Sequence, residues 1–220
     1  VEESRALVLI GDVIASRKDR IATTAWLRDL VADLDTAYGE RRLAPFGFGL
    51  GDQVQGLAAE DADPLLAVLR AALGPGARRI RWVCLWGEVD RGDGPATERT
   101  GPAFLTAREA VEAARSAHER LLIRTGNAGA DQLLAGMAPA LVDLLDGLTA
   151  HQRVVAGLAL LDGLRQAEVA ERLRIRRATV SVAWSRARVN SIGRLAEAMR
   201  MTSAAALAAL RDEAGEKAAD

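Results

Sequence analysis

Short apolar runs alternate with segments of helical period from Leu7 to Thr125, and beyond Asp131 no strand-like run remains. Leu7-Val8-Leu9-Ile10 is a continuous apolar run, the pattern of a strand covered on both faces, and predicts the first strand. Thr23-Thr24 offer N-caps to an amphipathic helix carrying Trp26, Leu27, Leu30, Val31 and Leu34 and ending near Tyr38-Gly39. Phe46 to Leu50 and Val54 to Leu57 flank Gly51-Asp52, which suits a hairpin turn. Asp61 and Asp63-Pro64 open a second helix that Gly74-Pro75-Gly76 stops, and Ile80 to Trp86 has the aromatic and β-branched content of a fourth strand. Trp82 and Trp86 fall on one sheet face as packing residues, and Cys84 is assigned to the opposite face as a small buried hydrophobe. The order β-α-β-β-α-β predicts an α+β fold of the ferredoxin-like, or palm, kind, with an antiparallel sheet in the order fourth, first, third, second.

The second half has a different grammar. A helix from 131 to about 145 carries Leu133, Leu134, Met137, Leu141, Leu144 and Leu145, with Pro139 expected to bend or split it, and serves as a connector. Thr149 then opens a helix with Val154, Val155, Leu158 and Leu161, closed by Asp162-Gly163. Counting from Gln166, apolar residues stand at the fourth, eighth, tenth, fifteenth and eighteenth positions (Val169, Leu173, Ile175, Val180, Ala183), with small Ala170 fifth. That spacing describes the inner faces of two helices crossing steeply, a helix-turn-helix. Ile192, Leu195, Ala196 and Met199 continue that second helix or begin the next, and Leu207 and Leu210 of the terminal helix complete a bundle or a dimer interface. The expected division is a palm domain over 1–127, a connector helix over 128–147, an all-α helix-turn-helix domain over 148–214 and a frayed tail over 215–220.

Composition changes this picture only locally. With 50% hydrophobic and 27% charged residues the chain is globular rather than disordered. One cysteine and two histidines exclude an intrachain disulfide and a Cys/His zinc cage. No apolar run approaches a membrane span and no basic leader precedes the first strand, so a cytoplasmic protein without a membrane partner is expected. The net charge is only -1, yet seven arginines face two glutamates between 165 and 188, a local excess of +5. Concentrated on a helix-turn-helix, that excess is the footprint of phosphate binding. Once the inner face is subtracted, Gln166, Arg176, Arg177, Thr179, Ser181, Val182 and Ser185 are candidates to touch DNA, with Arg186 and Arg188 on backbone phosphate. A tri-helical protein-interaction module with a solvated basic face is the competing reading.

The predicted sheet brings Asp12, just past the first strand, beside Asp52 at the hairpin. Paired carboxylates at one sheet edge suit a Mg²⁺ carrying a nucleoside triphosphate, and two turn-capping aspartates are the plainer alternative. The local text adds a resemblance. Gly11-Asp12-Val13-Ile14-Ala15-Ser16-Arg17, Gly51-Asp52-Gln53-Val54-Gln55-Gly56-Leu57 and Gly101-Pro102-Ala103-Phe104 with Ala107-Arg108-Glu109-Ala110 together resemble the SatD family of bacterial proteins over roughly the first 125 residues. The layout is more distantly similar to the palm cores of class III nucleotidyl cyclases and GGDEF proteins. From Leu148 onward the chain resembles the helix-turn-helix of sigma-factor region four. The palm resemblance implies Asp12 and Asp52 as metal ligands, with Ser16, Arg17, Gln53 and Arg108 toward a purine nucleotide. Gln53 stands where the family-like hairpin carries Glu, and Leu105 where the cyclases place Asn, so a degenerate or sensory site is expected over a catalytic one.

The resulting expectation is a sequence-specific regulator of transcription that binds double-stranded DNA as a homodimer and has a nucleotide effector. A metal-dependent nucleotidyl cyclase or transferase controlled by its helix-turn-helix is the first alternative, and a non-catalytic scaffold the second. His118 and His151 have no neighbours that would form a triad or metal site.

Overall fold

The computed structural model describes residues 4–14, 19–49, 52–90 and 92–219. Strand β1 (Ser4–Val13) is buried on both faces. Leu7, Leu9 and Val13 enter one core, and Ala6, Val8 and Ile10 the other, as the continuous apolar run demands. Helix α1 (Arg20–Tyr38) follows. It starts before the expected Thr23-Thr24 caps, because Asp19 holds the N-cap and accepts the Ala22 N–H at 3.2 Å. The two threonines lie inside the first turns, donating their hydroxyls to the carbonyls of Asp19 and Arg20. Gly39, at φ 50°, ends the helix.

Strands β2 (Arg42–Phe48) and β3 (Gln53–Ala59) flank the expected turn, and helix α2 (Leu65–Leu73) begins where the Asp63 carboxylate accepts the Leu65 N–H at 2.8 Å. Strand β4 (Ile80–Val89) runs three residues beyond Trp86. Helix α3 (Pro102–Ser116) then crosses to a fifth strand, β5 (Leu121–Arg124), which lies parallel to β4. Only three apolar residues mark β5, Leu121 to Ile123, too short a run to separate from a helix end by pattern. The sheet order is β2-β3-β1-β4-β5, the predicted arrangement with one strand added at the edge.

The assignment of Cys84 to the face opposite the tryptophans is corrected. Trp82, Cys84 and Trp86 lie in one core cluster, while Val83 and Leu85 lie in the other, since a period of two puts 82, 84 and 86 together. Cys84 is fully buried and donates its thiol to the Pro64 carbonyl at 3.3 Å. Burial, with the Asp63 carboxylate adding to it, pushes the thiol well above its ordinary 9.0, and burial raises the Tyr38 phenol too. A raised folded-state value stabilises the fold fully below the unfolded pKa and is lost as pH rises past it. Thermal melts across pH 7–10.5 should therefore show stability falling above about pH 9, with a shallower fall in Cys84→Ala.

Five helices complete the chain: α4 (Ala128–Asp146), α5 (Ala150–Leu160), α6 (Gln166–Leu173), α7 (Arg177–Arg186) and α8 (Val189–Ala219). Helix α4 is not split at Pro139. Pro139 and Ala135, whose carbonyl the missing N–H releases, are both exposed, so solvent can satisfy that carbonyl. Nor is α4 only a link, since Leu134, Ala138, Leu141 and Leu145 join the cluster that contains Leu7, Trp82, Ile192 and Met199. One core thus runs from the sheet face under α1 and α2 into α4 and α8, while α3 covers the other face. Ion pairs reinforce the junction: Arg200 to Asp63 at 2.8 Å, Arg211 to Glu60 at 2.8 Å and Arg120 to Asp146 at 2.6 Å. Over the expected tail at 215–220, α8 continues as helix through Ala219. Its alanine-rich sequence has high helix propensity, enough to carry the ~1 kcal/mol cost of Gly215. Among the described residues no helix is long and apolar enough to cross a membrane.

Candidate nucleic-acid interface

Helices α5, α6 and α7 enclose their own small core of Val155, Val169, Ala170, Val180 and Ala183, with Leu158, Leu164, Leu173, Ile175 and Trp184 partly buried around it. These include every inner position read from the helix-turn-helix spacing. The entry is fixed locally by a capping box at Thr149, where the hydroxyl accepts the Gln152 N–H at 3.3 Å and Gln152 Oε1 accepts the Thr149 N–H at 2.9 Å. Between α6 and α7 the chain reverses through Arg174, which adopts a left-handed conformation at φ 54°, and Ile175 donates its N–H to the Ala170 carbonyl at 3.0 Å. Helix α7 packs into this core through Val180 and Ala183 and leaves its other side exposed.

On that side lie Arg177, Thr179, Ser181, Val182, Ser185 and Arg186 of the sequence candidates. Arg177, Ser181 and Ser185 are exposed at spacings of four, Thr179, Val182 and Arg186 form a neighbouring exposed stripe, and Arg188 is exposed in the left-handed turn (φ 51°) between α7 and α8. Val180, Ala183 and Ala187 make the buried stripe behind them. Arg176 is the N-cap residue of α7 and is exposed, so two guanidinium groups stand at the positive end of the helix dipole. Gln166 is half-buried at the start of α6. Of the two local acids, Glu168 is occupied by the Arg165 N–H at 2.6 Å, which leaves the arginines of α7 without it. Trp184 turns away from the exposed side, donating its indole N–H to Asn190 at 3.0 Å.

The α/β region brings the two aspartates to one sheet edge. Asp12 pairs in register with Gln53, and the Val13 N–H donates to the Asp52 carbonyl at 3.0 Å. The buried Asp12 carboxylate, however, is held by two guanidinium groups the sequence reading did not connect with it. Arg81 Nη1 donates to Oδ2 at 2.8 Å and Arg115 Nη2 to Oδ1 at 3.0 Å. Arg81 is itself buried and also donates through Nε to the Glu119 carbonyl at 2.8 Å. A charged residue between Ile80 and Trp82, at the head of the apolar run of β4, is the signal the sequence carries. A cation bound by Asp12 would have to compete with both arginines, and no group of three or more His, Cys, Asp or Glu suited to a metal occurs among the described residues. Gln53 is half-buried and Arg108 exposed on α3, where Glu112, four residues further along, is paired with Arg115 at 3.0 Å. Ser16 and Arg17 lie outside the described residues.

Two motif glycines have a packing reason. An added Cβ at Gly56 would stand 2.0 Å from the ring of buried Phe46, so β3 needs a glycine beneath that side chain. Gly101, at φ 122°, would place a Cβ 2.7 Å from the Asp90 nitrogen, which only glycine avoids as α3 starts against the end of β4. Gly56→Ala is expected to cost ~1–3 kcal/mol in chemical denaturation, because Phe46 must leave its place.

No family model matches the chain, and no curated protein matches it. Among solved structures, 96% of the chain is similar to the crystal structure of a regulator of polyketide synthase expression from Bifidobacterium adolescentis, covering 83% of that chain at 17% identity and a TM-score of 0.30.

Proposed function

We propose that the protein is a sequence-specific, double-stranded-DNA-binding regulator of transcription in which α7 enters the major groove. The observation that carries this reading is the uncovered side of α7: two adjacent exposed stripes rich in polar and cationic residues, headed by Arg176 and Arg177, on a helix held by its own small core. Arg176, Arg177, Thr179, Ser181, Val182 and Ser185 reach base edges from the N-terminal part of the helix, while Arg186 and Arg188 meet phosphate. Gln166 orients the first helix against the backbone. A homodimer presents two such helices to half-sites one helical turn apart.

The α/β region acts in this reading as a non-catalytic sensory partner. The pairing of Asp12 with Arg81 and Arg115 favours that role over a metal-dependent nucleotidyl cyclase, for which Asp12 must be free. A purine nucleotide with Mg²⁺ is the effector the Asp12 and Asp52 edge would take, alongside Gln53, Arg108, Ser16 and Arg17.

Selection of duplexes from a random pool, followed by fluorescence anisotropy at several salt concentrations, tests the DNA reading. Binding should favour one recovered sequence over a scrambled duplex by on the order of 10³-fold or more and weaken steeply with salt. Salt-sensitive binding without sequence preference, or none, overturns it. Sedimentation equilibrium reads the dimer, and a monomer at all concentrations would remove that part.

A further inference from the structure

On the sheet face opposite Asp12, a cavity of about 180 Å³ opens between the start of β4 and helices α2, α4 and α5. Its wall combines the Trp82 indole and aliphatic side chains of α2 and α4 with four arginines, Arg78, Arg79, Arg120 and Arg153, against one carboxylate, Asp146. Asp146 is shared by Arg120, at 2.6 and 3.3 Å, and by Arg79 at 3.4 Å, and Arg78 reaches Asp19 at 3.4 Å. The cavity therefore keeps a clear cationic excess. Within the residues of this wall, the Trp82 indole N–H and Arg153 Nε are closed off from solvent and have no acceptor among the described residues, so the cavity itself presents the remaining guanidinium nitrogens and the indole ring.

We propose that this cavity is a binding site for a small organic anion, a carboxylate or phosphate on a compact apolar body, with the guanidinium groups of Arg79, Arg120 and Arg153 as its donors. Charge selects the anion and the indole and aliphatic wall selects the apolar body. The volume is below the ~300–1,000 Å³ of sites for drug-sized ligands, which separates this ligand from a nucleotide. Trp82, Arg78, Arg79 and Arg120 belong to the α/β region, whereas Arg153 lies on α5, two residues before Val155 of the helix-turn-helix core. A bound anion joins the two regions at the helix against which α7 packs. Its effect on DNA affinity rests on the function proposed above, but the site itself does not.

The test is calorimetric titration of the full chain, without DNA, using benzoate, phenyl phosphate, inorganic phosphate and neutral benzamide. Saturable one-to-one binding of benzoate or phenyl phosphate is expected, at least tenfold tighter than benzamide or inorganic phosphate. Arg153→Met should weaken it by tenfold or more, and Arg153→Lys, which keeps the charge and is the milder change should Met perturb folding, by less. Absence of binding by both organic anions overturns the proposal, as does equal binding by benzamide or unchanged affinity in a folded Arg153→Met protein. Repeating the anisotropy measurement with saturating anion reads the link to DNA separately, so failure of DNA binding leaves the calorimetric result standing.

Discussion

Replacing Arg176 and Arg177 together by alanine should abolish high-affinity duplex binding while leaving the fold intact. Both side chains are exposed, so neither substitution opens a cavity or strands a buried partner. Each guanidinium that reaches a guanine edge contributes ~1–3 kcal/mol, and the pair together ~2–6 kcal/mol, on the order of 30-fold to 10⁴-fold in Kd. Anisotropy with the selected duplex reads the loss, and a parallel melt should show an unchanged midpoint. The Arg186→Ala, Arg188→Ala variant gives the contrasting outcome. Phosphate contacts carry little sequence information, so affinity for selected and scrambled duplexes should fall in parallel and the salt slope should shrink by about two. If the first pair behaves like the second, α7 touches only backbone and the claim of sequence reading fails.

The other large effect is expected at Asp12. Asp12→Asn removes the anion that neutralises Arg81, whose side chain is only 8% exposed, and leaves a buried guanidinium facing an amide. Breaking one side of a buried pair costs ~3–5 kcal/mol, which urea denaturation would show as a lower midpoint at constant slope. Arg115, with its side chain about half exposed, contributes less. Replacing both partners, Asp12→Leu with Arg81→Met, should recover much of the loss, because no charge is then left unpaired. Asp52→Asn should stay within ~0.5 kcal/mol, since the contact Asp52 makes to β1 uses its backbone carbonyl. The same proteins test the nucleotide reading. Mg²⁺ with a purine triphosphate that raises the melting temperature of the parent chain but not of Asp52→Asn would make the sheet edge a nucleotide site, with Arg81 and Arg115 as its resting partners.

What the residues determined alone is whatever depends on local period and parity. The double-faced apolar run of β1, helices α1 and α2, the hairpin around Asp52 and the inner positions Val169, Ala170, Val180 and Ala183 all follow from spacings of 2 or 3.6 residues. The order of elements was enough to place Asp12 beside the β2-β3 turn, because few sheet topologies accommodate it. The error at Cys84 was of parity, a rule the sequence itself contains. Tertiary structure decided matters in which a residue answers to partners far along the chain. Arg81 and Arg115 meet Asp12 across 69 and 103 residues, and no periodicity links them. The short β5 is a strand because β4 supplies its hydrogen bonds, and α4 joins the core because the sheet and α8 offer apolar surface on both sides of it. The cationic cavity at Trp82 and Arg153 exists only where two regions with different local grammars close on each other, and a pattern read along one chain segment carries no information about that closure.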